Sequence, residues 1–347
     1  MQRTSSRLFT RSNNIGEQLA ADTRHSAGVL LVSLLLVACT TPYQTRELLA
    51  GPPADLPVSI ELTNTPFFPQ QRYQCGPAAL ATVLGTHGLP ATPEELVDDV
   101  YVPALKGSLP EEIAATARQQ GMLAYPLPAR LDALLHEVAH GHPVIILQNN
   151  GTPWWPRWHF AVVIGYDLQQ QILLLRSGTS KRLQTSLATF ERTWERGDYW
   201  ARVIVPAGEL PASALPEPYL QAVYDLETAG QTTAAQTAYQ AATRQWPDNP
   251  LAWMTYANSL YSTMAYAQAE QAFREVTRLA PDNPQGWNNL AYALLRNNCP
   301  RQAQRAARCA VRLAPDERNY RDTLEEINTR AVDVTAASCK PLDCSAD

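Results

Sequence analysis

The sequence predicts an α+β domain with an antiparallel sheet, followed by an all-α repeat solenoid. Between Pro66 and Pro206, helix signals come first and short apolar runs joined by tight turns come later, which favours an α+β arrangement. Beyond Pro206, alanine, glutamine and aromatic residues recur at a fixed spacing, which is typical of stacked helical repeats. The length of 347 residues also suggests about two domains.

The first 38 residues have the pattern of an export signal. Arginines precede an apolar run from Ala27 to Ala38, which is too short to span a bilayer as a helix. The run ends in Leu36-Val37-Ala38-Cys39, which resembles the lipobox of bacterial lipoproteins, and Thr40 rather than Asp follows. The resemblance implies lipidation at Cys39 and a place in the bacterial cell envelope, at the outer membrane facing the periplasm. The alternative is an ordinary signal or anchor that ends in cysteine. Residues 39–65 are then predicted to be anchor and linker, with the Pro-rich and Gly-rich stretch Ala50–Pro57 as a tether.

The net charge and the cysteine count give two further expectations, one about nucleic acid and one about disulfides. A net charge of -5 gives no electrostatic basis for binding nucleic acid. If Cys39 is lipidated and Cys75 stays free, an even number of cysteines remains: Cys299, Cys309, Cys339 and Cys344. In an oxidising compartment these allow two disulfides, by any of three pairings.

Proline-marked starts predict the helices of the domain at 66–206. One helix follows Cys75, one opens at the capping box Thr92-Pro93-Glu94-Glu95, and one opens at Pro110 and stops at Gly121. A further helix is predicted over residues 130–140. The predicted strands are 143–147, 159–166, 172–175 and 200–205.

Cys75 stands where an extended, proline-marked approach gives way to a small-residue helix. A thiol at a helix N-terminus lies at the positive end of the macrodipole, so we expect the pKa of Cys75 to fall. Gln70, five positions earlier, is an amide that could donate to an oxyanion. The alternative is a buried cysteine that serves as a small hydrophobic residue.

His159 opens the second predicted strand. An imidazole facing a thiol can take its proton and later give it to a leaving amine. Alone, such a histidine is more often a hydrogen-bonded structural residue, but its combination with Cys75 favours nucleophilic thiol chemistry. This chemistry needs no cofactor and no metal.

These residues resemble the bacteriocin-processing double-glycine cysteine peptidases and their relatives. The matching stretches are Gln70, Cys75–Leu80, Gly141–Ile145 and His159–Tyr166. The resemblance implies a papain-like fold over about residues 66–206, with Cys75 as nucleophile, His159 as general base and Gln70 as oxyanion donor. It also implies a peptide or protein substrate.

The family usually places an Asp on the strand after the histidine strand, and this chain has Leu175-Arg176-Ser177-Gly178 there. Ser177 or a backbone carbonyl could hold the imidazole instead, and Asp167 or Asp198 could reach it from a turn. Two hypotheses therefore stay open: an active cysteine peptidase, or a degenerate peptidase-like domain that acts as a membrane-tethered scaffold.

His136-Glu137-Val138-Ala139-His140 matches the zinc-peptidase pattern H-E-x-x-H. At 100° per residue, both histidines fall opposite the apolar stripe of the helix, so we expect a chance match and no metal. Trp154, Trp155 and Trp158 either line a substrate cleft or pack in a loop.

The second half repeats every 34 residues: Pro247-Asp248 recurs as Pro281-Asp282 and as Pro315-Asp316. This is the tetratricopeptide period. We predict three repeats and a capping helix at 319–332 within a domain at 216–332, and a tail at 333–347. Such arrays bind proteins or peptides, so a protein partner is expected in the groove.

Overall fold

The computed structural model describes residues 41–70, 74–330 and 339–344. The predicted export signal and Cys39 lie outside these residues. Within them no helix is long and apolar enough to cross a membrane.

A seven-stranded sheet forms the centre of the first domain, and all of its strand pairs are antiparallel. The strands are β1 Ser59–Glu61, β2 Tyr101–Val102, β3 Gly107–Ser108, β4 Met122–Pro126, β5 Val144–Asn149, β6 Trp158–Asp167, β7 Ile172–Ser177, β8 Ser180–Ser186 and β9 Ala201–Pro206. The strand order is β4-β9-β5-β6-β7-β8, and β1 pairs with the last residues of β6, beyond the first residue of β5. The small pair β2 and β3 lies outside this sheet.

Helices cover both faces of the sheet, because alternate strand residues are apolar on each face. The helices are α1 Tyr43–Ala50, α2 Cys75–Thr86, α3 Pro93–Val100, α4 Pro110–Gln119, α5 Leu131–Ala139 and α6 Leu187–Glu195. Ile145 joins a core with α2, α3 and α4, and Val144 and Ile146 join a second core with α1, α5 and α6. The predicted capping box at Thr92 and Glu95 is present.

The prediction of a linker at 39–65 is wrong for its described part. Helix α1 begins at Tyr43, Leu48 is buried in the second core, and β1 pairs with β6. The carboxylate of Glu191, itself 1% exposed, accepts hydrogen bonds from the backbone N–H groups of Gln44 and Thr45 at 2.9 and 2.6 Å. The Pro and Gly content suggested a tether, but the apolar and capping contacts fix the segment to the domain.

In the described residues seven helices follow the sheet, and the first six pack as three consecutive pairs. Asn249 and Asn283 cap successive pairs, and the indoles of Trp253 and Trp287 donate to the carbonyls of Pro247 and Pro281 at 2.8 Å in both repeats. The last helix packs on the third pair and buries Ile327 fully. These helices are α7 Pro216–Thr228, α8 Thr232–Gln245, α9 Pro250–Ser262, α10 Tyr266–Leu279, α11 Pro284–Arg296, α12 Pro300–Leu313 and α13 Arg318–Arg330.

The first repeat packs directly on the sheet domain. Its helices share the second core, and Arg118 of α4 pairs with Asp225 of α7 at 3.0 Å. At the other end of the array, disulfides join Cys299 to Cys339 and Cys309 to Cys344. Residues 339–344 are therefore stapled along α12, which selects one of the three pairings that the sequence allowed.

Candidate active site

Cys75 is the first residue of α2, which packs its small residues between the sheet and the neighbouring helices. Pro77 fits the first turn because its missing N–H would have no helical partner there. The thiol is half-buried and is the free cysteine of the described residues. The sequence thus places it at a helix head that faces β6.

His159 and Ser177 meet across neighbouring strands. His159 is the second residue of β6, and Ser177 is the last residue of β7. The imidazole Nε2 lies 2.8 Å from Ser177 Oγ, so this contact does not occupy Nδ1. Ser177 is thus the side chain, among the candidates named from the sequence, that contacts the His159 imidazole. Asp167 instead accepts from Gln170 at 2.8 Å in the turn after β6.

Gln70 is held by the tip of the β7–β8 hairpin. The backbone N–H of Gly178 donates to Gln70 Oε1 at 3.0 Å, and the backbone N–H of Gln70 donates to the Gly178 carbonyl at 2.9 Å. Gln70 Nε2 donates to the Phe160 carbonyl at 3.3 Å. Because an amide nitrogen has two hydrogens, one donor remains for a ligand. The same hairpin tip therefore positions both Gln70 and His159.

Cys75, His159, Gln70 and Gly178 line one cavity of about 740 Å³. Residues 105–110, which include β3 and the start of α4, also line this cavity. Trp158 also lines this cavity, whereas Trp154 and Trp155 lie outside it, 86% and 81% exposed. Of the three tryptophans that the sequence suggested for a substrate cleft, Trp158 therefore lines the cavity and the other two do not.

The site favours an uncharged thiol and imidazole. Burial raises the pKa of the Cys75 thiol, while backbone hydrogen bonding by Phe160, Gly76 and Cys75 itself acts in the opposite direction. Burial lowers the pKa of His159. The expectation of a lowered thiol pKa was wrong, because desolvation outweighs the donors at the helix head.

Gly76 and Ser108 form a tight contact that sequence reasoning missed. A Cβ at Gly76 would lie 2.2 Å from Ser108 Oγ and 2.5 Å from Ser108 Cβ, so only glycine lets the wall approach the helix head. The Ser108 hydroxyl is buried and has no hydrogen-bond partner among the described residues. A Gly directly after a candidate nucleophile was the available signal.

The H-E-x-x-H helix holds a structural carboxylate. Glu137 is fully buried and accepts from His142 Nδ1 at 2.7 Å and from the backbone N–H and hydroxyl of Ser213 at 2.7 and 2.6 Å. His136 contacts Asp55 at 3.0 Å, and His140 is exposed. The described residues contain no group of three or more His, Cys, Asp or Glu that could hold a metal ion.

Comparisons with known proteins agree with this two-part architecture. Residues 62–200 match the Peptidase_C39 like family, and residues 220–284 and 272–305 match two tetratricopeptide repeat families. No matching relative was found among curated proteins.

Among solved structures, a C39-like peptidase from Bacillus anthracis is similar at 19% identity and a TM-score of 0.37, over 42% of this chain and 97% of that one. MamA from Desulfovibrio magneticus RS-1 is similar at 21% identity and a TM-score of 0.32, over 42% of this chain and 74% of that one. A double mutant of MamA from RS-1 is similar at 24% identity and a TM-score of 0.32. The match covers 33% of this chain and 65% of the MamA mutant, so this chain spans less than two thirds of that protein's length.

Proposed function

We propose that this chain, which carries a Peptidase_C39-like domain followed by tetratricopeptide repeats, is a cysteine peptidase anchored by lipid at Cys39. One observation carries the proposal: the helix-head thiol of Cys75 and the imidazole of His159 line the same cavity, together with Gln70. This is the arrangement that nucleophilic thiol catalysis needs.

In the proposed reaction, His159 Nδ1 takes the proton of Cys75 as the sulfur attacks the scissile carbonyl carbon. The carbonyl electrons move to oxygen, where the free N–H of Gln70 and the backbone N–H of Cys75 donate to the oxyanion. The C–N bond then breaks, and the imidazolium gives its proton to the leaving amine. Water hydrolyses the remaining thioester by the same base, and the thiol is restored.

Because burial disfavours charge on both groups, we propose that proton transfer accompanies attack instead of preceding it. Ser177 acts as the orienting group. Its hydroxyl can accept from Nε2–H, which leaves the lone pair of Nδ1 for the thiol proton. A carboxylate would enforce this tautomer, whereas a hydroxyl can also donate and so holds it less strictly.

The repeat array would recruit a protein partner or the substrate, and the lipid would hold the protein at the outer membrane, facing the periplasm. A second candidate function is a membrane-tethered scaffold whose degenerate peptidase-like domain binds peptides without cleaving them. Ser177 favours it, because it replaces the carboxylate that active relatives usually carry.

Hydrolysis of a peptide mixture, followed by mass spectrometry of new N-termini, separates the two functions. We expect cleavage by the wild type and none by Cys75→Ala, while the exposed control His140→Ala and a chelator leave cleavage unchanged. Full cleavage by Cys75→Ala would exclude the proposed nucleophile. Peptide binding without cleavage by the wild type would favour the scaffold.

A further inference from the structure

Four large aromatic side chains of the described part of the sheet domain are exposed: Tyr43 at 61%, Trp154 at 86%, Trp155 at 81% and Trp158 at 54%. Trp158 lines the active-site cavity, and we call the other three the aromatic face. Tyr43 begins α1, and Trp154 and Trp155 lie in the loop 150–157 between β5 and β6. Tryptophan and tyrosine combine an apolar ring with a polar group, which suits a boundary between water and an apolar phase.

The loop 150–157 is built to hold its tryptophans outward. The side chain of Asn149, 3% exposed, accepts from the backbone N–H groups of Gly151 and Arg157, both at 2.9 Å, and so closes the loop at its base. Thr152 and Trp155 exchange backbone hydrogen bonds at 3.1 and 3.2 Å. A Cβ at Gly151 would lie 2.1 Å from the Trp155 carbonyl oxygen, so this turn requires glycine. The exposure of both indoles therefore follows from a hydrogen-bonded loop.

Strand register places the loop at the end of the sheet that carries His159. The last residue of β5, Asn149, pairs with Trp158, the first residue of β6. The first residue of β9, Ala201, pairs with Ile146, so β9 begins at this end. The last residue of β4 pairs with the second residue of β9, so β4 ends there.

The start of α1 lies at this same end. Gln44 Nε2 donates to the carbonyl of Ala129, three residues after β4 ends, at 3.1 Å. Gln44 Oε1 accepts from the backbone N–H of Leu131 at 2.5 Å. The start of helix α1 and the tryptophan loop therefore lie at the same end of the sheet.

Cys39 precedes Tyr43 by four residues, and four residues span at most about 14 Å when fully extended.

We propose that the aromatic face binds the surface of a lipid bilayer. Two observations favour a bilayer over a protein: Cys39, the proposed site of the lipid anchor, lies only four residues before Tyr43, and the loop Asn150–Arg157 contains no acidic residue. Tryptophan and tyrosine side chains anchor proteins at the interface between water and the hydrocarbon core of a bilayer. This inference rests on the anchor at Cys39 that is part of the proposed function.

The orientation has a consequence for the substrate. Pro156, Trp158 and His159 line the active-site cavity at the end of the sheet that carries the aromatic face. A bilayer bound there places the cavity beside the lipid headgroups. The peptidase would then act on peptide segments that lie at the membrane surface.

Quenching of tryptophan fluorescence by brominated lipid tests the inference on the full chain. The protein is reconstituted into vesicles of phosphatidylethanolamine and phosphatidylglycerol with brominated acyl chains. The test variant is Trp154→Ser/Trp155→Ser, and the control is Leu251→Ser/Met264→Ser, which changes two exposed apolar residues of the repeats, 45% and 72% exposed. Hydrolysis of a soluble peptide is measured in parallel.

We expect brominated lipid to quench tryptophan fluorescence in the wild type and in the control. In the tryptophan variant the quenched fraction of the fluorescence should be lost, while hydrolysis of the soluble peptide stays unchanged. Equal quenching of all three proteins would overturn the inference. So would a loss of soluble-peptide hydrolysis in the tryptophan variant without a change in quenching, because the indoles would then bind substrate. If no protein cleaves peptide but quenching follows the expected pattern, the peptidase proposal fails and the membrane face stands.

Discussion

The substitution Ser177→Asp should return the carboxylate that this site lacks. Ser177 Oγ lies 2.8 Å from His159 Nε2, so an aspartate there would place a charge beside the imidazole. At about 4 Å and an effective dielectric constant of about 20, opposite charges attract by about 4 kcal/mol. Desolvation of the new carboxylate offsets part of this energy. We expect the pKa of the His159 imidazolium to rise by about 1 to 2 units, and the pKa of the Cys75 thiol to fall by a similar amount because an imidazolium nearby stabilises the thiolate.

The change in the thiol pKa can be measured as the rate at which iodoacetamide alkylates Cys75. Each unit raises the thiolate fraction about tenfold, and the weaker nucleophilicity of a more acidic thiol cancels about half of that gain on a logarithmic scale. Alkylation at pH 7 should therefore accelerate about 3- to 10-fold. In the wild type the rate should rise mainly at alkaline pH, because burial raises the pKa of the thiol.

Ser186→Asp is the matched control, since it adds the same charge at the far end of β8, where aspartate can also cap α6. Its alkylation profile should match that of the wild type. An unchanged profile for Ser177→Asp would refute the contact between Ser177 and the reactive imidazole.

Three further predictions concern stability. Glu137→Ala should lower the free energy of unfolding by about 3 to 5 kcal/mol, because it leaves His142 without its buried partner. In the folded protein the pKa of Glu137 is lowered and that of His142 is raised, in each case against the effect of burial. The stability that this pair supplies should therefore be greatest between pH 4.5 and pH 6.5, the ordinary pKa values of a glutamate and a histidine. It should be lost as the pH falls through the lowered pKa of Glu137, and also as the pH rises through the raised pKa of His142. Gly165→Ala should destabilise by about 1 to 3 kcal/mol, because its Cβ would lie 2.5 Å from the carbonyl oxygen of Ile60. Cys339→Ser should cost about 4 kcal/mol, since it opens a disulfide with a sequence separation of 40.

Chemical denaturation measures all three, and each has a control. Glu94→Ala changes an exposed carboxylate, and Gly51→Ala adds a Cβ where nothing lies within 4 Å. Reduction of the wild type also opens the disulfide between Cys309 and Cys344, so it should cost at least as much stability as Cys339→Ser. A Gly165→Ala protein as stable as Gly51→Ala would show that β1 can move away from β6. A Glu137→Ala loss no larger than that of Glu94→Ala would contradict the role of the buried pair.

The candidate site was largely visible in the sequence because its signals are local. Pro77 marks the first turn of α2, and an apolar run fixes β6, so Cys75 and His159 could be placed on their elements. Two features depend on partners that are distant in sequence, and no local signal identifies these partners: Gly178, which hydrogen-bonds to Gln70, and Ser108, which packs against Gly76.

The thiol pKa was mispredicted for a related reason. The sequence shows a helix head, but the burial that raises the pKa of Cys75 comes from the packed walls of the cavity. Strand β8, Ser180–Ser186, was missed because it is mostly exposed and polar, so no apolar alternation marks it. Strand β4, Met122–Pro126, was missed because it contains Ala124 and Pro126, which belong to residue types that are depleted in strands.

Covalent labelling by a thiol-directed peptide epoxide tests the proposed catalysis most directly. The site predicts one adduct per chain, on Cys75 of the wild type, with none on Cys75→Ala and a strongly reduced rate on His159→Ala. An intact wild-type protein that forms no adduct at Cys75, or that labels as fast when His159 is replaced, would contradict thiol catalysis in this cavity.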